Sequence, residues 1–380
     1  MNGKRVLFRV SSNELSFGTV ESWKAIYGFP SPGAEQLVKG DFYDVLGSAI
    51  TLHLALSAKS LSEQEPIVQE CLDRFVGKLK LLGEKSEGKG LDLVHWLELV
   101  AFDISGGMAF GEGFGCERHS WIDLILSNLF EVAPVDNMRR VKVVAAIGRQ
   151  LLPLLTSSVR NKHSMYSRAK MQKRLEASAP RQDFLAHLAS KVLSDEVSQE
   201  EMTAHTSTLV LAGSETVAAR NIPHVEDPCY DEKLINEIRT RYASYNHIDA
   251  TSATRLPYLQ AVINEPLRIF PPGPTGFPCV SSGCEIAGFW AKVYTSSWTV
   301  THDPNTFKPE RWLDPECRDI KHNSQPFLLG YRACIDRSQD AFRYDLELVS
   351  NELDWEVACW FYVMWWKSPL MVMFKERAQQ

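Results

Sequence analysis

A lone cysteine held behind a glycine and an arginine constrains this chain more than any other feature. The stretch Pro326-Phe327-Leu328-Leu329-Gly330-Tyr331-Arg332-Ala333-Cys334-Ile335-Asp336-Arg337 has the spacing Phe-x-x-Gly-x-Arg-x-Cys. Such a spacing suits a sulfur that must reach a large, flat, anionic cofactor. Gly330 has no Cβ to keep the backbone at a distance. Arg332 supplies a permanent positive charge for a carboxylate or propionate. The residues that follow predict a helix from Ser338 to Leu353, whose first N–H groups would favour the thiolate of Cys334 over the thiol. A thiolate on iron pushes electron density toward dioxygen and favours O–O cleavage. The rest of the chain must build a frame that holds this loop.

Part of that frame is visible upstream. In Leu256-Pro257-Tyr258-Leu259-Gln260-Ala261-Val262-Ile263-Asn264-Glu265-Pro266-Leu267-Arg268, Glu265 and Arg268 stand three apart and share one helix face. Exposed, such a pair is worth a fraction of a kcal/mol. Buried, it is costly unless a third group completes it. Arg311, in Phe307-Lys308-Pro309-Glu310-Arg311-Trp312, is the candidate third group.

A second helix carries a different kind of chemistry. Ser198-Gln199-Glu200-Glu201 reads as a capping box. The helix it opens runs through Ala212-Gly213-Ser214-Glu215-Thr216 toward Pro223 and Pro228. A threonine hydroxyl beside a carboxylate can relay protons. The same hydroxyl can equally bond back to the Ala212 carbonyl, with Glu215 in solvent.

In this order the three motifs resemble those of the cytochrome P-450 family of haem-thiolate monooxygenases, the filamentous-fungal secondary-metabolism type in particular. The resemblance covers most of the chain and implies a single domain over residues 1–380, mainly α with small β-sheets, in a shortened cytochrome P-450 fold. It implies haem b, with Cys334 as axial ligand and Phe327, Gly330 and Arg332 around the cofactor. Gly213 would let cofactor and oxygen approach the helix backbone. Glu215 and Thr216 would relay protons, and Glu265, Arg268 and Arg311 would brace the core beneath the loop. The implied partners are a small apolar organic substrate, O2 and an NADPH-dependent reductase, since no flavin or nicotinamide motif is present in the sequence.

Several positions depart from the family pattern. Asp336 stands where relatives have a glycine, placing a Cβ and a negative charge near the thiolate. Cys279 replaces an arginine that would reach a propionate. Residues 43–60 lack the expected Trp and Arg four apart, and segments after Thr216 and between Pro272 and Trp298 are short. These departures support an alternative: a catalytically inactive, internally deleted family remnant with weak or no haem. A haem-free helical interaction protein would require the motif order to be coincidence.

Composition narrows the remaining classes. The chain has 380 residues, 44% hydrophobic and 23% charged, as expected for a globular protein with a sizeable core. A formal charge of −6 gives no sign of a nucleic-acid partner. Eight cysteines without a Cys-x-x-Cys pair argue for a reducing compartment rather than a disulfide or structural-zinc scaffold. No His-Glu-x-x-His, Walker or Gly-x-Ser-x-Gly motif occurs. The first residues lack a signal-peptide core, and no uninterrupted apolar run reaches membrane-span length. An intracellular protein is expected, without the endoplasmic-reticulum anchor of relatives.

Local patterning fills in the outline. Residues 5–17 read as strand and turn, Glu21–Tyr27 as a helix stopped by Gly28 and Pro30, and Leu61–Leu82 and Leu91–Ala109 as helices. The tail from Trp360 to Phe374 reads as a hairpin about Lys367-Ser368-Pro369. Six Lys or Arg within 160–174 mark a solvated helix face or a contact with an anionic surface.

Overall fold

Helix starts in this protein follow short-range side-chain chemistry. Thr19 caps a helix over Val20–Tyr27 (α1): its Oγ1 accepts from Ser22 N at 3.2 Å while Ser22 Oγ accepts from Thr19 N at 3.3 Å. At the other end Gly28 N donates to Lys24 O, and a Cβ on Gly28 would lie 2.4 Å from that carbonyl, so only glycine fits. Asp92 caps the helix Leu93–Phe110, accepting from Val94 N and His95 N, and Gly111 ends it in the left-handed region at φ 76°. Ser198 caps the helix Gln199–Arg220 through a 3.1 Å bond from Glu201 N.

The computed structural model describes residues 7–11, 14–30, 37–39, 58–86, 88–113, 165–176, 198–220, 228–273, 279–280, 284–286, 289–291, 306–319, 324–327, 345–349, 355–361 and 365–375, with 192, 194, 321 and 329. The elements used below, in chain order, are β1 (Leu7–Ser11), β2 (Glu14–Phe17), α1, β3 (Val38–Lys39), α2 (Ala58–Lys85), β4 (Leu91–Asp92), α3 (Leu93–Phe110), α4 (Gln199–Arg220), α5 (Pro228–Arg241), α6 (Ala250–Ala253), α7 (Pro257–Ile269), β5 (Cys279–Val280), β6 (Cys284–Ile286), β7 (Phe289–Ala291), α8 (Glu310–Leu313), β8 (Asp345–Leu348), α9 (Trp355–Ala358), β9 (Trp360–Phe361), β10 (Trp365–Trp366) and β11 (Met371–Lys375). The architecture is mainly α with several small antiparallel sheets. Residues 165–176 are also helical.

By internal packing the chain divides into residues 1–48 with 264–337 and residues 49–263 with 338–380. In the first unit, β1 pairs with β2, β3 with β5 and β6 with β7. Phe17, Ile26, Tyr27, Leu37, Cys279 and Ile286 form its apolar cluster, with Leu7, Leu15, Trp23 and Leu329 packed against it. In the second unit, α3 lies against α2 and α4. Cys71, Phe75 and Leu79 of α2 recur every four residues and are buried, as one helix face must be. Among the described residues, α3 is the helix long and apolar enough to cross a membrane, at mean hydropathy 1.3. It is interrupted by Glu98 and Asp103, and 72% of it is buried inside the protein, as in a core helix.

Two expectations for the tail change. Residues 345–348 are not helical but form β8, paired antiparallel with β11 (Leu346 with Phe374, Leu348 with Val372). Leu346 and Leu348 alternate with Asp345 and Glu347, and that period of two suits a strand with a partner. The hairpin about residues 367–369 does not form. β10 pairs back with β9, while β11 sits between β4 and β8. The linking residues are held elsewhere: Lys367 pairs with Glu98 at 2.8 Å, Trp355 Nε1 donates to Ser368 O, and Leu370 N donates to Asp92.

Candidate functional site

The Glu265 side chain is fully buried, and five donors converge on its carboxylate. Oε1 accepts from Arg268 Nη2 at 2.9 Å, Lys308 N at 2.9 Å and Arg311 Nε at 2.8 Å. Oε2 accepts from Arg268 Nε at 3.0 Å and Trp312 Nε1 at 2.8 Å. Helix α7 presents Glu265 and Arg268 one turn apart; the turn before α8 aims the Lys308 amide, and α8 itself presents Arg311 and Trp312. Both guanidinium groups also donate to Thr306 O, at 3.2 and 3.1 Å. Burial pulls the Arg311 pKa down, but its hydrogen bond and charge pairing with Glu265, then those with Asp319, more than reverse this and raise it. Arg311 is thus held in its charged form.

In the sequence this cluster precedes the cysteine loop. Asp319 pairs with Arg311 Nη1 and accepts from Cys317 Sγ. Lys321 Nζ holds Trp312 O at 2.9 Å and Asp314 O at 3.2 Å, closing the end of α8. Phe327 is half-buried, and Leu329 packs on the apolar cluster around Tyr27 and Cys279. Gly330, Arg332, Cys334 and Asp336 lie outside the described residues, as do residues 43–57 of the 43–60 stretch in which the Trp/Arg helix is expected.

In the second unit, Thr216 Oγ1 donates to Ala212 O at 2.6 Å, the bond a helical threonine makes to its own preceding turn. Its oxygen lone pairs remain able to accept. The Glu215 side chain lies outside the described ones. Gly213 meets a neighbouring helix: a Cβ there would sit 3.0 Å from Ser105 Oγ, so the glycine permits close approach of α4 to α3.

Cys279 is wholly buried in the apolar cluster of the first unit, paired through β5 with Lys39 of β3. The described part of the basic stretch is answered within the chain. Lys170, itself buried, and Lys173 both bond Glu112, and Arg168 pairs with Glu200 at 2.8 Å.

Sequence reasoning found Glu265, Arg268 and Arg311, which the structure brings together, but missed Asp319, the Trp312 indole and the Lys308 amide. A surplus positive charge in the Glu-Arg-Arg set was the signal that could have found Asp319.

The chain matches the cytochrome P450 family over residues 48–337. It is 44% identical to a cytochrome P450 monooxygenase, ORF9, of Penicillium roqueforti, the match covering 97% of this chain and 81% of that protein. It is 39% identical to the cytochrome P450 monooxygenase BOT4 of Botryotinia fuckeliana, over 96% of this chain and 78% of the relative. A third, ORF11 of Penicillium roqueforti, is 33% identical over 91% of this chain and 82% of its own length. The first match extends over 416 positions, more than the 380 residues of this chain, so that relative has internal residues that this chain lacks.

Proposed function

Because the chain belongs to the cytochrome P450 family, whose members are haem-dependent monooxygenases, we propose that it inserts one oxygen atom of O2 into a small apolar organic substrate of fungal secondary metabolism. In this reading residues 1–380 act as one intracellular haem domain, supplied with electrons by an NADPH-dependent reductase. The observation that carries it is the Glu265 carboxylate, buried and met by five donors, the last of which, Trp312, precedes the stretch Pro326–Cys334 in the chain.

The donor set suits haem b. Cys334 offers a thiolate for the iron and Arg332 a guanidinium for a propionate. By residue type Gly330 would leave room for the macrocycle, and Phe327, half-buried, would offer it an apolar side chain. Bound haem would supply the activation of dioxygen. The rest is the work of this chain's own side chains. Arg268 and Arg311, held by Glu265, keep the approach to the loop rigid. Thr216, whose proton rests on Ala212 O, can accept a proton at its oxygen and pass its own onward, with Glu215 as the adjacent acid.

A second reading, a remnant that binds haem weakly or not at all, has its own support. The strand at Asp345 leaves residues 335–344 for any helix behind Cys334, and Cys279 is committed to an apolar core rather than to a propionate. A reduced carbon monoxide difference spectrum of the purified protein separates the two. A band at about 450 nm is expected for a thiolate on the iron. A band at about 420 nm, or none, would favour the remnant and overturn the enzyme reading.

A further inference from the structure

Glu265, Arg268 and Arg311 together carry one positive charge in excess, and all three side chains are at most 5% exposed. Water cannot screen that surplus, and an uncompensated buried charge is costly enough that the fold must supply a counter-ion. Glu265 cannot answer it further. A carboxylate offers about four lone-pair sites, and five donors already use them. Arg311 shows where the answer lies. Its Nε goes to Glu265 and its Nη2 to Thr306 O, while its Nη1 pairs with Asp319, whose side chain is itself 5% exposed. With Asp319 included, two carboxylates face two guanidinium groups and the described cluster is neutral.

Asp319 also stands at a particular place in the chain. It lies beyond α8, two residues before Lys321 ties back to Trp312 O and Asp314 O, and upstream of Phe327 and Leu329. It therefore ties the buried charges to the segment that precedes Phe327 in the sequence.

We propose that Asp319 is a positioning residue for the Cys334 loop: it neutralises the buried Glu265–Arg268–Arg311 cluster and fixes the chain that runs from Arg311 into Phe327. Its effect on haem ligation rests on the proposed function above; its effect on the chain path does not. It acts through Arg311 and touches no substrate.

The test uses the full chain. Asp319→Asn keeps the shape and removes the charge. Backbone amides in 306–329 are expected to exchange with solvent about tenfold faster while those of α3 stay unchanged. The thiolate-type share of the carbon monoxide spectrum is expected to fall severalfold, and Asp319→Glu is expected to restore both. Arg311→Gln combined with Asp319→Asn removes one charge of each sign, so the double variant is expected to be no worse than the worse single one. Lys367→Met, a destabilising change in the other unit, is expected to leave the spectral share unaltered.

Wild-type exchange and spectrum in Asp319→Asn would overturn the proposal. So would fully additive damage in the double variant, or an equal spectral change in Lys367→Met. If Asp319→Asn gives no soluble protein, recovery in the double variant supports charge neutralisation and equal insolubility overturns it. If the wild-type protein shows no haem band, the proposed function fails while the exchange measurement still decides the role of Asp319.

Discussion

Two carboxylates in this protein each sit between two cations, and they differ mainly in access to water. Glu265 is fully buried and met by Arg268 and Arg311; Glu112 is 37% exposed and met by Lys170 and Lys173. At Glu265 every donor is fixed by a helix or turn, and the planar guanidinium groups bind in defined directions. At Glu112 two ammonium groups share one acid that water can also serve; Lys173 is 71% exposed, while Lys170 is buried and also donates to Gly113 O. The number of charges is the same, but only the first arrangement can position a distant piece of chain. Charge pairing in water tolerates rearrangement; charge pairing out of water enforces one geometry.

The comparison can be broken at its strong end first. Glu265→Gln leaves two buried guanidinium groups facing one carboxylate, and breaking a buried pair costs about 3–5 kcal/mol. Chemical denaturation followed by circular dichroism should show that loss; a change below about 1 kcal/mol would mean the cluster tolerates rearrangement as a surface pair does. Lys367→Met supplies an intermediate case, since Lys367 is 1% and its partner Glu98 12% exposed. Leaving Glu98 without its ammonium there should cost about 2 kcal/mol in the same measurement. A loss as large as that of Glu265→Gln would show that burial, not the number of fixed donors, sets the scale.

The smallest effect is expected at Glu112. Burial alone would raise its pKa, but hydrogen bonds from Lys173 and Lys170 outweigh that and hold it below the usual carboxylate range. A depressed acid stabilises the fold above its ordinary pKa and loses that contribution as pH falls through the depressed one. Glu112→Gln should therefore lower the melting temperature slightly at neutral pH and not at all in strong acid. An equal decrease at both would remove the electrostatic role assigned to the pair.

What could be read from sequence follows the range of the interactions. Ser198 as a cap and Glu265 with Arg268 on one helix face depend on residues within a turn, so spacing alone finds them. Arg311 came from a motif. Asp319 and the Trp312 indole could not be found by spacing, because they meet Arg311 and Glu265 through a turn whose path no local pattern dictates. Residues 345–348 were misread for a related reason. Their alternation spans only four residues, too few for the pattern to decide, and the partner strand β11 lies more than twenty residues later. The contact of Gly213 with Ser105, a side chain on another helix, was likewise beyond any local pattern.

The placement of β11 has a consequence for how the molecule is made. The middle strand of the β4–β11–β8 sheet is the last of the three to be synthesised, and it brings Leu370, which bonds Asp92 and Leu93 at the start of α3. Until residues 370–375 leave the ribosome, β4 and β8 have no partner to lie against and the cap of α3 is incomplete. The edge of β4 therefore waits through the synthesis of more than 250 residues, whereas β8 waits for little more than twenty.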